Sequence, residues 1–220
     1  MLLKCGTVVH SAIISDGRHR GHGTLLGDVC VAREAVVHMA EGVGGRVRRN
    51  IEVKAIDPDP VRSRRICQQH GARDEGWLYQ RDIYFRVEHG RLKLREQAPG
   101  SAHLIRYERA DERRQRESRY VIDQVEDPAA TLAELRSAGG MLCVVTKLRR
   151  LFLWGQARIH LDVVAQLGTF IELEAVAAPG SDLKREHALT RELRDLLAIS
   201  DRRIVAASYA DMLLAGSPQS

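Results

Sequence analysis

From residue 50 onward the chain alternates polar and apolar positions in short runs divided by turn residues. Residues 50–56 alternate throughout and read as a strand, because successive side chains of a strand face opposite ways. Asp57-Pro58-Asp59-Pro60 then opens a helix, with Asp59 as its cap and Pro60 in its first turn, that should end at Gly71. Strands are predicted over residues 77–88 and 91–97, joined by a turn at His89-Gly90, and over 103–109. The charged run 111–117 reads as a solvated turn. A strand over 118–124 follows, then a helix over 128–138 ended by Gly139-Gly140. Strands over 141–153, 157–164 and 168–176 and helices over 182–198 and 209–214 complete the pattern. About eight strands, short turns and few helices predict a mainly β, α+β fold built as an antiparallel barrel or a sandwich.

Residues 1–48 differ from the rest. They hold eight of the 18 glycines and four of the nine histidines, without periodicity. They are expected to form a poorly ordered extension, with Met39 a candidate true start and the organised domain covering 49–215. His19 and His22 have no partner cluster that would make them metal ligands.

Parity sharpens the fold. In the first strand Asn50, Glu52 and Lys54 share one face, and Ile51, Val53 and Ala55 the other. Arg91, Lys93 and Arg95 oppose Leu92 and Leu94, and Arg109 falls in register with Ile105 and Tyr107. Lys147 pairs with Arg149; Arg158, His160 and Asp162 oppose Ile159 and Leu161; Phe170, Glu172 and Glu174 oppose Ile171 and Leu173. A sheet with one solvated face is the plain explanation. Three features favour a closed barrel with charges inside and helices packed outside. The polar positions are almost all ionised, cations and carboxylates sit on different strands, and the opposite faces are apolar and need cover.

A charged interior cannot be a dry core, since unpaired buried cations are costly. It must hold water, metal and a polyanion. Lys54, Arg91, Lys93, Arg95, Arg109, Lys147, Arg149 and Arg158 supply cations, and the guanidinium fork suits phosphate. Glu52, Asp162, Glu172 and Glu174 supply hard oxygen donors of the kind Mg²⁺ or Mn²⁺ prefers beside phosphate.

Composition narrows the partners. The chain has 220 residues, a net charge of +5 and a pI near 9.2, which favours anions without choosing among them. Aromatic residues are only 5%, few for stacking nucleobases, and carboxylates among the cations would repel a nucleic-acid backbone. Nucleic acid is therefore excluded as the expected partner. A membrane is excluded as well, because no apolar run approaches the roughly 18 residues a span needs. Cys5, Cys30, Cys67 and Cys143 are scattered, with no zinc-ligand spacing, as in a reducing compartment. A cytoplasmic location is expected, and a homodimer is left open.

The same residues carry a resemblance. Asn50-Ile-Glu-Val-Lys-Ala55 resembles the first strand of the CYTH superfamily, whose pattern is Glu-x-Glu-x-Lys; Asn50 stands where the first Glu would be. Gly90-Arg-Leu-Lys-Leu-Arg-Glu96, Leu104-Ile-Arg-Tyr-Glu-Arg109 and Val145-Thr-Lys-Leu-Arg-Arg150 are similar to its basic strands, in family order. Arg158-Ile-His-Leu-Asp162 and Leu167-Gly-Thr-Phe-Ile-Glu-Leu-Glu174 are similar to its carboxylate strands. The resemblance implies a triphosphate tunnel and Mg²⁺- or Mn²⁺-dependent chemistry on a nucleoside triphosphate or another triphosphate. It implies class IV adenylate cyclase activity first, then inorganic or thiamine triphosphate hydrolysis, then polyphosphate binding without turnover.

In that frame Arg91, Lys93, Arg95, Arg109, Lys147, Arg149 and Arg158 bind substrate, Lys54 and Asp162 are catalytic, and Glu52, Glu172 and Glu174 hold the metal. Asp162 is either a ligand or a general base. His160 lies beside the site by parity, its role open.

Overall fold

The computed structural model describes residues 46–109 and 115–216. The expected extension lies outside the described residues as far as position 45. Strand β1 (Arg48–Ile56) leads through helix α1 (Pro60–Gln69) into β2 (Arg73–Phe85), β3 (Arg91–Ala98), β4 (Ala102–Arg109) and β5 (Arg116–Val125). Helix α2 (Pro128–Gly139) precedes β6 (Met141–Trp154), β7 (Ala157–Val164) and β8 (Gly168–Val176). Helices α3 (Lys184–Leu196) and α4 (Tyr209–Gly216) end the described chain.

The eight strands close into one antiparallel barrel in the order β1-β5-β4-β3-β2-β6-β7-β8, with β8 pairing back to β1. Closure leaves no edge strand in the ring. Local sequence sets the connections. Asp59 caps α1 by accepting from the Arg62 amide, and Asp127 caps α2 by accepting from Ala129 and Ala130. Gly90 turns β2 into β3 at φ 69°, where a Cβ would lie 3.0 Å from the Tyr107 carbonyl oxygen.

Helices cover the outward apolar faces. Leu193 and Leu197 at the end of α3 join Cys67 of α1 over Val53, Ile159, Ile171 and Leu173. Leu135 of α2 packs on Ile83, Phe85, Leu92 and Leu94. Most of the apolar core thus lies outside the barrel wall, which leaves the inside for polar groups.

Helix α4 does something else. Tyr209 and Ala210 pack with Tyr84, Val145, Val164 and Phe170, which are inward-facing residues at one end of four strands. The helix is a plug in that end. Among the described residues no helix is long and apolar enough to cross a membrane.

Candidate functional site

The barrel encloses a cavity of about 450 Å³. Its axis can be read from the strands. Strand β6 runs from plug to mouth, and its inward series is Val145, Lys147, Arg149, Leu151, Leu153. Strands β2 and β7 run the other way, so Leu78 and Arg158 lie towards the mouth and Tyr84 and Val164 at the plug. The Arg158 side chain is 38% exposed there.

Next to the plug lies a basic cluster built round one carboxylate. Asp82, wholly buried, accepts from Lys93 Nζ at 3.0 Å, Lys147 Nζ at 3.1 Å and Arg95 Nε at 2.6 Å. Burial works to raise the Asp82 pKa, but Arg95, Lys147 and Lys93 outweigh it and hold the carboxyl well below its usual range. Three cations on one anion leave excess positive charge. Burial, aided by Arg95, pushes Lys93 down to about 7 despite Asp82. Lys147 is lowered by burial, aided by Arg149 and Arg95 against Asp82.

Across the tunnel the second group is mixed. Arg149 donates from Nε and Nη2 to the two Asp162 oxygens, at 2.7 and 2.6 Å, and from Nη2 to Glu172 Oε2 at 2.6 Å. Tyr209 Oη donates to Asp162 Oδ2 at 3.0 Å. Lys54 Nζ lies 3.2 Å from Glu172 Oε1 and donates to the Ala207 carbonyl at 3.4 Å. Burial alone would raise Glu172, yet Lys54 and Arg149 hold it well below the usual carboxylate range. Asp162 is lowered chiefly by Arg149, against its burial.

Glu174 lies one step nearer the mouth, with Arg158 at 3.9 Å. Beside it, Glu52 accepts from Arg116 Nε at 2.9 Å. His160 is 4% exposed, with Nδ1 3.6 Å from Glu172 Oε2 and 3.7 Å from Glu174 Oε1. One donor atom from each of His160, Glu172 and Glu174 falls within 4.8 Å of the others.

Among the residues expected in the site, Glu52, Lys54, Lys93, Arg95, Lys147, Arg149, Arg158, Glu172 and Glu174 line the cavity, with Asp162 buried behind Arg149. Arg91 does not join them. It starts its strand beyond the plug, and its Nη2 lies 3.0 Å from Asp211 of α4. Arg109 ends β4 opposite Ser118; its side chain lies outside those described. Two residues were missed. Asp82 sits in a strand whose other face carries exposed Trp77 and Tyr79, which obscures the alternation. Arg116 falls in the charged run expected to be a solvated turn; instead it opens β5, is 4% exposed and bonds Glu52 and the Ala206 carbonyl. A run in which only Gln115 interrupts the charges hides a period of two. Pairing Asp82 with Arg95 across β2 and β3 was a legible signal.

The family model described as the CYTH domain matches residues 48–209. The chain belongs to the CYTH family. The barrel is its triphosphate tunnel fold, and enzymes of this family generally process triphosphates with the help of a metal ion. Solved structures with the same fold include the PH1012 protein of Pyrococcus horikoshii, 21% identical with a TM-score of 0.67 over 74% of this chain and 98% of that one. A candidate adenylate cyclase of Vibrio parahaemolyticus is 17% identical with a TM-score of 0.62, over 74% of this chain and 97% of that one. A candidate adenylyl cyclase of Hippeastrum, described as having a dominant triphosphatase activity, is 12% identical with a TM-score of 0.55 over 78% and 97%. No curated protein matches the chain.

The donors of this CYTH tunnel fit a divalent cation. Glu172 and Glu174 offer hard oxygens on one face of β8, and the buried His160 Nδ1 beside them makes no hydrogen bond.

Proposed function

We propose that this tunnel binds a nucleoside triphosphate with a divalent cation and cleaves it by cyclisation, giving a cyclic nucleotide and pyrophosphate. The observation that carries the reading is the order of groups along the axis. The Asp82 cluster and, across from it, Lys54, Arg149 and Glu172 lie next to the plug, Glu174 is one step nearer the mouth, and Leu78, Leu151 and Leu153 line the wall beyond. Lys93, Arg95 and Lys147 suit the two terminal phosphates, where their excess charge is offset by the anion. The apolar wall suits a base and sugar. The phosphate that bears the sugar then falls beside Glu174, one step above Glu172.

Glu172 and Glu174 would hold a cation, which when bound would supply positive charge to the phosphate oxygens and lower the pKa of a bound hydroxyl. The chain's own groups do the rest. Lys54 and Arg149 face the phosphate chain and offset charge that develops on the leaving pyrophosphate. Asp162, gripped by Arg149 and Tyr209, keeps that guanidinium aimed across the tunnel and acts as a positioning group. The plug at the deep end keeps water from behind the terminal phosphate.

Hydrolysis is the second reading. The Asp82 cluster alone suffices to hold a triphosphate, with or without an organic group. One assay separates the two. The protein is incubated with Mg²⁺ or Mn²⁺ and ATP, thiamine triphosphate or inorganic triphosphate. Cyclic AMP with pyrophosphate supports cyclisation; orthophosphate from inorganic triphosphate without cyclic AMP reverses the choice.

A further inference from the structure

Strand β7 points a histidine at the carboxylates of β8. His160 Nδ1 is buried and has no hydrogen-bond partner, a costly state for a ring nitrogen held at 4% exposure. The nearest acceptors are Glu172 Oε2 at 3.6 Å and Glu174 Oε1 at 3.7 Å. A histidine donating to a carboxylate would close to below about 3.2 Å. The wider spacing, nearly equal to two oxygens, leaves room for three donors to share one ion. The ladder fixes it, because His160 sits directly opposite Glu172 across β7 and β8.

Two further observations move the centre towards this trio. The first strand has Asn50, an amide, where a carboxylate could have stood, and Asn50 Oδ1 is itself buried and unsatisfied. Glu52 already has Arg116 at 2.9 Å. The inner face of β1 thus offers one carboxylate and that of β8 two. Glu172 accepts from Arg149 on Oε2 and has Lys54 3.2 Å from Oε1, and each of these oxygens keeps a further acceptor site for a metal.

We infer that His160, Glu172 and Glu174 together ligate the divalent cation through one nitrogen and two oxygens, and that the imidazole makes the site select Mn²⁺ over Mg²⁺. This rests on the proposed function, in which the carboxylates hold the cation. Mg²⁺ takes oxygen donors almost exclusively; Mn²⁺ also favours oxygen, but as a first-row transition ion it accepts an imidazole nitrogen more readily than Mg²⁺ does. An all-oxygen site would leave the choice to the ions' size and hydration; the nitrogen adds a preference that oxygen cannot supply.

The test uses the full chain with Mn²⁺ and inorganic triphosphate. Electron spin-echo envelope modulation of the bound Mn²⁺ should show coupling to a ligand nitrogen in the wild type. The coupling should vanish in His160→Gln, whose fold is checked by its melting curve. Mn²⁺ affinity should fall ~10-fold or more in that variant, and Mg²⁺ affinity by less than about threefold. Bound Mn²⁺ without nitrogen coupling in the wild type, coupling that survives in His160→Gln, or no Mn²⁺ binding overturns the inference. The first readout needs no variant, so it stands even if His160→Gln fails to fold. Triphosphate binding is measured separately with Mg²⁺. Its presence without nitrogen coupling leaves the proposed function intact, whereas its absence in the wild type overturns that function itself.

Discussion

The ammonium of Lys54 lies 3.8 Å from the centre of the Tyr209 ring, so the first strand and the last helix meet over the deep end of the tunnel. The same ring sits edge-on to Phe170 with centroids 5.0 Å apart, and its hydroxyl donates to Asp162. Tyr209→Phe keeps the ring and should cost ~1 kcal/mol, the worth of one hydrogen bond. Tyr209→Ala should cost ~3–5 kcal/mol through the cavity it leaves. Urea denaturation compares them. Equal losses would mean that the ring does not seal the barrel.

Asp82 carries the charge balance of the empty tunnel. Asp82→Asn leaves Lys93, Arg95 and Lys147 facing one another without their anion, and should lower stability by ~3–5 kcal/mol. Inorganic triphosphate should then raise the melting temperature of this variant more than that of the wild type. A smaller rise in the variant would contradict binding at that cluster.

Arg95→Ala removes one of the three cations. Triphosphate affinity should fall by ~1.5–3 kcal/mol, the scale of a charged hydrogen bond. Lys93 and Lys147 still hold Asp82, so the stability loss should stay well below that of Asp82→Asn. Calorimetric titration of both variants decides it, and unchanged affinity would remove Arg95 from the binding wall.

Lys93 gives the tunnel a pH dependence with a definite sign. Its pKa is about 7, set by burial and by Arg95 and Lys147 against Asp82, with the rings of Tyr84 and Tyr107 each 5.5 Å away. A polyanion favours the ammonium form. Below about pH 7 the group is already charged, and above it binding must take up a proton. Affinity should therefore fall as pH rises from about 7 to about 9, by up to ~10-fold per pH unit. Lys93→Met should flatten this slope. For folding the window lies between about 7 and the ordinary lysine value, where the unfolded chain binds the extra proton and stability rises with pH. A wild-type binding curve flat across that range would rule Lys93 out of the phosphate contacts.

EDTA should abolish turnover, and Mn²⁺ or Mg²⁺ should restore it. Glu172→Gln keeps shape and loses charge, so kcat should drop ~10²-fold or more with the fold intact. Glu88→Gln, in the loop between β2 and β3, is the control and should be near neutral. Normal turnover in Glu172→Gln would move the metal off β8.

Where each strand alternated charged with apolar residues, the sequence was enough to place its inner face. Strands β1, β3, β6, β7 and β8 do so, and Lys54, Lys93, Arg149 and Glu172 face inward as parity requires. Strand β2 does not. Its inward series Leu78, Gln80, Asp82, Tyr84 mixes apolar and polar groups, while exposed Trp77 and Tyr79 occupy the other face, so Asp82 gave no period-two charge signal. The plug was illegible for another reason. Tyr209 in a short helix reads as packing, and only the closed ring shows that it packs into the barrel's end.

The plug also bears on kinetics. Among the described residues the barrel is stoppered at one end, a blind well in which a bound substrate and whatever is made from it share the mouth. Under the proposed cyclisation, pyrophosphate formed at the bottom beside Lys93, Arg95 and Lys147 would leave only after the organic product above it had gone. Release should be ordered, with the inorganic fragment last and the slowest to depart. Added pyrophosphate would then compete directly with fresh substrate for the vacant well, while the cyclic product would inhibit in a different pattern.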